Sequence, residues 1–197
     1  MSRAVPRIDR SSLMTLEAYA RERTNFRARV MQHKRDRTVG LGEHVTLIFE
    51  DELTIRYQVQ EMLRAERIFE ADGIQEELDA YNPLVPDGRN LKATMMLEYP
   101  DPAERAMRLA RLKGIEDKVW IEVEGSARIW AIADEDLERE NEDKTSAVHF
   151  LRFELPEPAA QALKSGAPLS AGVDHPEYNA SLVLPPAIRD SLAKDLA

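Results

Sequence analysis

The chain has 197 residues, 43% hydrophobic and 32% charged, with no cysteine and a formal net charge of −9. That length supports one sizeable core, and the absence of thiols excludes disulfides, zinc–thiolate sites, cysteine-ligated clusters and cysteine nucleophiles in this chain. No apolar run approaches the about 18–20 residues that span a bilayer, and the charged N-terminus has no apolar stretch behind it. A cytoplasmic protein without a membrane span is therefore expected.

Residues 11–37 read as a helix capped by Ser11 or Ser12, with Phe26, Val30 and His33 on one stripe, a break near Thr24–Asn25, and Gly40 and Gly42 as its stop. The segment is basic: residues 1–37 carry a net +6 and residues 38–197 a net −15. Such asymmetry raises nucleic-acid binding through 21–37 as a reading, but it ranks last. The global field repels a polyanion, and no aromatic stacking residues interleave with the basic ones. Packing of this segment on the protein's own acidic body, or on a sister chain, accounts for the charges more simply.

"HVTLIFE", 44–50, alternates as a strand with Val45, Leu47 and Phe49 on one face. Asp51 then caps a helix that runs to about Ala71, with Glu52 in its first turn, and "IQEELDAYN" forms a second helix. Two prolines and a glycine make 82–90 a loop. Residues 91–99 form a strand and 103–114 a short helix, with either Met107 and Ala110 or Leu109 and Leu112 inward. "KVWIEVEGSARIWAIAD" is a hairpin: a two-residue turn at Gly125-Ser126 pairs 123 with 128, 121 with 130 and 119 with 132. One face then gathers Val119, Ile121, Val123, Trp130 and Ile132.

The acidic "DEDLERENED", 134–143, reads as a solvated surface. It has no calcium-loop pattern. A strand follows over 146–155 with His149, Leu151, Phe153 and Leu155 on one side, then a short helix, one or two strands around a His-Pro turn over 168–185, and a C-terminal helix that begins on proline. The expected fold is α+β, an antiparallel-rich mixed sheet packed against several helices in a single domain over 1–197. A basic helical segment (1–40) joins an α+β body (41–197), and the 118–133 hairpin lies in the sheet that the 52–70 helix covers.

That helix, "TIRYQVQEMLRAERIFE", is the most informative stretch. Ile55, Val59, Met62, Leu63 and Phe69 form its core face. One flank carries Arg56, Gln60 and Arg67, the other Tyr57, Glu61 and Arg64. The plain reading is surface pairing, Glu52 with Arg56 and Glu61 with Arg64. The sharper reading is a half-buried network of Arg56, Tyr57, Gln60, Glu61 and Arg64 that holds a ligand or a partner chain.

"LGEHVTLIFEDELTIRYQVQEMLRAERI", with "LVPDGRNLKATMMLEY" and "KTSAVHFLRFEL", resembles a bacterial family of unknown function, domain-of-unknown-function family 3501, over nearly the whole chain. Members of that family are often encoded beside rubrerythrin and an iron–sulfur oxidoreductase. The resemblance therefore implies an accessory place in peroxide or redox metabolism, and it supplies no catalytic residue.

Other constellations are thinner. His149, His175 and Glu177 are the candidates for a metal site, but there is no His-x-His, Glu-x-x-His or HExxH pattern, so no metal and no cofactor is expected. Arg89 and Asn90, in the turn sequence Pro-Asp-Gly-Arg-Asn, are aimed at a carboxylate or phosphate in a functional reading and are turn residues otherwise. Phosphate-cradling loops and a serine-hydrolase elbow are absent. The leading expectation is a non-catalytic accessory protein with a protein partner or a sister chain, using the polar helix and the 86–90 loop as its contact surface. The alternative is an enzyme or small-ligand protein with a pocket on the polar helix, joined by His149.

Overall fold

In the computed structural model, which describes residues 7–133 and 144–197, the strands form two four-stranded antiparallel sheets, not one. The first has the order β1-β2-β3-β6, with β1 Thr38–Leu41, β2 Val45–Glu50, β3 Asn90–Leu97 and β6 Val148–Glu154. The second has the order β5-β4-β7-β8, with β4 Val119–Val123, β5 Ile129–Trp130, β7 Leu169–His175 and β8 Tyr178–Val183. Alternation explains their facing: Val45, Leu47 and Phe49 of β2 and Leu151 and Phe153 of β6 meet Val119, Ile121, Leu169 and Val173 in one buried core. Helices α4 (Pro102–Arg111), α5 (Glu157–Lys164) and α6 (Pro186–Ala193) add Leu109, Leu163 and Leu192 to it.

The two sheets are tied at both flanks. Ile132 and Arg152 exchange both backbone hydrogen bonds at 2.8 Å, joining the strand after β5 to β6. On the other flank the Tyr178 hydroxyl donates to Leu41 O and accepts from the His44 N–H at 3.1 Å.

Helices α1 (Leu16–Arg35), α2 (Glu52–Ala65) and α3 (Ala71–Tyr81) form a separate layer, in which α2 packs on α1, on α3 and on β2. The hairpin is therefore in the second sheet and the polar helix is on the first. The helix at the N-terminus starts later than expected, because Thr15 rather than Ser11 or Ser12 caps it. It runs unbroken through Thr24–Asn25, and the stretch with Gly40 is strand β1. No helix among the described residues is long and apolar enough to cross a membrane. The acidic stretch 134–143 lies outside the described residues.

The hairpin register differs from the expected one by a single residue: Trp120 pairs with Trp130 and Ile121 with Ile129. The turn closes early, with the Ser126 N–H donating to Val123 O at 2.9 Å and Gly125 in the left-handed region at φ 84°. A one-residue slip reverses every side chain of the second strand. Trp130 thus leaves the core face, lies opposite Trp120 and is 43% exposed. Gly172 is required behind this pair, since a Cβ there would come within 2.4 Å of the Trp120 ring.

Helix α2 ends at Ala65, not near Ala71. The Ile68 N–H donates to Leu63 O at 2.9 Å and the Arg67 N–H to Arg64 O at 3.4 Å. These two bonds, with Arg67 at φ 55°, make a Schellman cap. The usual glycine is displaced: it is Gly73 that carries the stop signal in the sequence, but its role is to admit Ile68, whose Cγ2 would lie 2.8 Å from a Cβ there. Phe69, expected in the core, is carried outward and is 72% exposed. Because a side chain at left-handed φ costs about 1 kcal/mol or more, Arg67→Gly should stabilise the protein by about 1 kcal/mol, read as an upward shift in the denaturant midpoint. An unchanged or lower midpoint would contradict this account of the helix end.

Candidate functional site

The polar helix begins on a reciprocal cap. Asp51 Oδ1 accepts from the Thr54 N–H at 3.0 Å, and Thr54 Oγ1 accepts from the Asp51 N–H at 2.9 Å. From that start the 3.6-residue period puts Ile55, Val59 and Leu63 against Leu78, Leu84 and Val85. The same period turns Tyr57, Gln60 and Glu61 inward, toward α1 and the linker before it.

Glu61 is the centre of this side. Its two carboxylate oxygens accept from Arg23 Nε and Nη2, both at 2.8 Å, and Oε1 also accepts from the Tyr19 hydroxyl at 2.6 Å. This two-pronged fit is the strong form of an arginine–carboxylate contact. The Arg23 hydrogen bond first, then those of Tyr19 and the charges of Arg23 and Arg64, outweigh partial burial and hold the Glu61 carboxyl down to about 2. Burial and the bond to Glu61 in turn push the Tyr19 phenol up. The expected Glu61–Arg64 pair does not form: Arg64 is exposed and acts on Glu61 through its charge.

Gln60 is 1% exposed. Its Oε1 accepts from the Met14 N–H at 2.6 Å and its Nε2 donates to Met14 O at 3.4 Å, so the amide replaces a backbone partner for the linker residue. Tyr57 is buried on Phe26, at 6.1 Å between ring centres, and its hydroxyl accepts from Arg27 Nη1 at 3.3 Å. Arg56 Nε lies 3.0 Å from Glu52 Oε1, close enough for an ion pair but too bent for a hydrogen bond.

The buried rings of α1 and α2 carry cations. Arg29 and Arg56 lie 5.0 and 5.7 Å from the Phe26 ring centre, and Lys34 lies 5.7 Å from that of Tyr57. Both rings are buried, so they hold these cations from below and present no face on which a nucleic-acid base could stack.

A second cluster escaped sequence reasoning. Arg37, 1% exposed, donates from Nε to Phe49 O at 2.9 Å, from Nη2 to Glu50 O at 3.1 Å and to Asp195 Oδ2 at 2.5 Å, and from Nη1 to Ser191 Oγ at 3.3 Å. Asp51 Oδ2 is 3.7 Å from Arg37 Nη1 and 2.6 Å from His33 Nε2. Burial pushes the Asp195 carboxyl up to about 6 even though Arg37 pulls the other way. Its folded value lies above the ordinary one, so this group's contribution to stability falls as pH rises from about 4 to about 6. Only the short spacing of Arg37 from β2 hinted at this role.

The remaining candidates do not join the polar helix. Asn90 is buried and stabilises its own loop: Oδ1 accepts from the Asp87 N–H at 3.0 Å and Nδ2 donates to Glu154 Oε1 at 3.1 Å. Arg89 is exposed, with Nη2 3.9 Å from Asp87 Oδ2. The loop closes on the C-terminus, where the Ala197 N–H donates to Gly88 O at 2.8 Å. His149 faces the sheet-to-sheet core, opposite Met95, whereas its neighbour Phe150 faces the helical layer. His149 Nε2 lies 2.9 Å from Thr145 Oγ1 and 3.1 Å from Ser146 O. His175 accepts from the Glu177 N–H at 3.1 Å through Nδ1 and donates through Nε2 to Lys113 O at 3.0 Å. Both histidines are thus engaged locally, and among the described residues no group of three or more carboxylates and histidines is arranged to hold a metal ion.

Because the folded Glu61 carboxyl sits below its ordinary value, its stabilising effect is present at neutral pH and is lost as pH falls from about 4.5 toward about 2. Glu61→Gln should therefore lose about 1–2 kcal/mol at pH 7, the pair being partly exposed. The gap to the parent should close on acidification when unfolding is measured across pH; a gap that stays constant with pH would contradict the assignment.

A crystal structure from Burkholderia pseudomallei K96243, described as a novel protein of unknown function, is similar to this chain. It is 56% identical with a TM-score of 0.93, the match covering 98% of this chain and 100% of that one. No curated protein matches the chain. The family model described as "Protein of unknown function (DUF3501)" matches residues 7–196, so the chain belongs to that family.

Proposed function

We propose that the protein is a non-catalytic accessory protein that binds an acidic segment of a partner protein on the α1–α2 face, in the service of a neighbouring redox system. One observation carries the partner assignment: Arg29 and Lys34 are held over buried rings and Arg27 reaches the Tyr57 hydroxyl, whereas Arg56, also beside the Phe26 ring, is already paired with Glu52. A ring holds a cation without neutralising its charge and leaves its N–H groups open to carboxylates. Helix α1 carries six Arg and Lys against two Glu, in a chain whose net charge is −9, so this face is locally opposite in sign to the rest. Steering by such a face favours an anionic partner surface over a basic one.

The alternative, a small-ligand pocket or an enzyme site among Arg56, Tyr57, Gln60, Glu61 and Arg64, has less support. Gln60 and Glu61 are satisfied by Met14, Tyr19 and Arg23, which leaves them no free polar atoms to aim at a substrate. The redox setting rests on the family resemblance alone.

The test is fluorescence anisotropy of a labelled deca-glutamate peptide with the parent and with the triple variant Arg27→Gln, Arg29→Gln, Lys34→Gln. Binding should weaken with added salt and fall at least tenfold in the variant. Equal binding by the variant, or tighter binding of a single-stranded oligonucleotide than of the peptide, would overturn the reading.

A further inference from the structure

A groove of about 340 Å³ opens where the linker before α1 meets the end of α2 and the start of α3. Its walls are Leu13, Leu16, Leu63, Ile68, Phe69 and Ile74, and Arg10 is the one charged residue among those that line it. The size lies within the range of about 300–1,000 Å³ typical of small-ligand pockets.

Two features show that the groove is formed in advance. One wall, the linker through Met14, is fixed by the Gln60 amide at 2.6 and 3.4 Å. The opposite wall is fixed by the Schellman turn, in which the Ile68 N–H donates to Leu63 O at 2.9 Å and Ile68 rests on Gly73. That turn holds Phe69 out beside the opening, where covering it removes apolar surface from water. At the rim, Arg10 meets no carboxylate within 4.0 Å among the described residues. Its neighbour Asp9 is turned into its own cap, accepting from the Ser12 N–H at 3.1 Å and the Ser11 hydroxyl at 2.6 Å. An apolar slot with one open guanidinium at its rim complements an apolar tail with one carboxylate.

We infer that this groove binds a medium-chain aliphatic carboxylate, the chain lying against Leu13, Leu16, Leu63 and Phe69 and the carboxylate on Arg10. The inference is independent of the acidic-partner reading, since none of the ring-held cations lines the groove. It gives the polar helix a second task, because Gln60 sets the groove wall.

The experiment is isothermal titration of the full chain with decanoate below its micellar range, alongside decanol and propionate. One decanoate per chain should bind, with decanol and propionate each at least tenfold weaker. Leu16→Trp, which fills the groove, should abolish binding, and Arg10→Gln should weaken decanoate about tenfold without changing decanol. Folding of both variants is checked by their thermal transitions. Absence of saturable decanoate binding to the parent, unchanged binding by Leu16→Trp, or decanol binding as tightly as decanoate would each overturn the assignment. So would a concentration-dependent dimer abolished by Phe69→Ser, since a second copy would then occupy the groove.

Discussion

The guanidinium of Arg37 is the joint on which the rest of the arrangement depends. It sits just past the end of α1 and reaches the last residues of β2, the cap residue of α2 and the end of the C-terminal helix. A buried cation is tolerated only when its donors are satisfied and its charge is balanced. Here the balance comes from Asp195 and Asp51, which lie far apart in sequence. The helical layer, the first sheet and the C-terminus are therefore fixed relative to one another through one side chain.

Downstream of that joint, the polar character of α2 has a structural explanation. Glu61 holds α1 through Arg23 and Tyr19, and Gln60 holds the linker before it. Those contacts use the inward polar groups within the chain itself. What they leave for interaction is what they position: cations over rings on one part of the layer, and an apolar groove on another. On both proposals recognition accordingly falls at the surface of the helical layer, while the buried polar groups give that surface its shape.

Much of the fold was legible because alternation and caps are local. Strand β2, the Asp51 cap and the inward side of β6 follow from spacing alone, while the β7–β8 hairpin was legible only as one or two strands around its turn. The failures were at decisions that local pattern does not make. The hairpin register turned on which residue Gly125 would serve, and the end of α2 on an arginine in a conformation usually given to glycine. Of the candidate site, the inward turn of Tyr57, Gln60 and Glu61 was readable, but their partners on α1 were not. Arg23 lies 38 positions from Glu61, and Arg37 lies 158 from Asp195, separations at which a single sequence carries no pairing signal. Asn90 was read as a possible ligand group because turn chemistry and recognition use the same residue types.

The most direct test of this account is hydrogen exchange on Arg37→Lys, which keeps the charge but loses the fork of donors. Protection should fall together in the last turn of α1 and in α6, with the inner strands of both sheets unchanged. Loss confined to one of these helices, or protection equal to the parent in both, would show that Arg37 is not the joint.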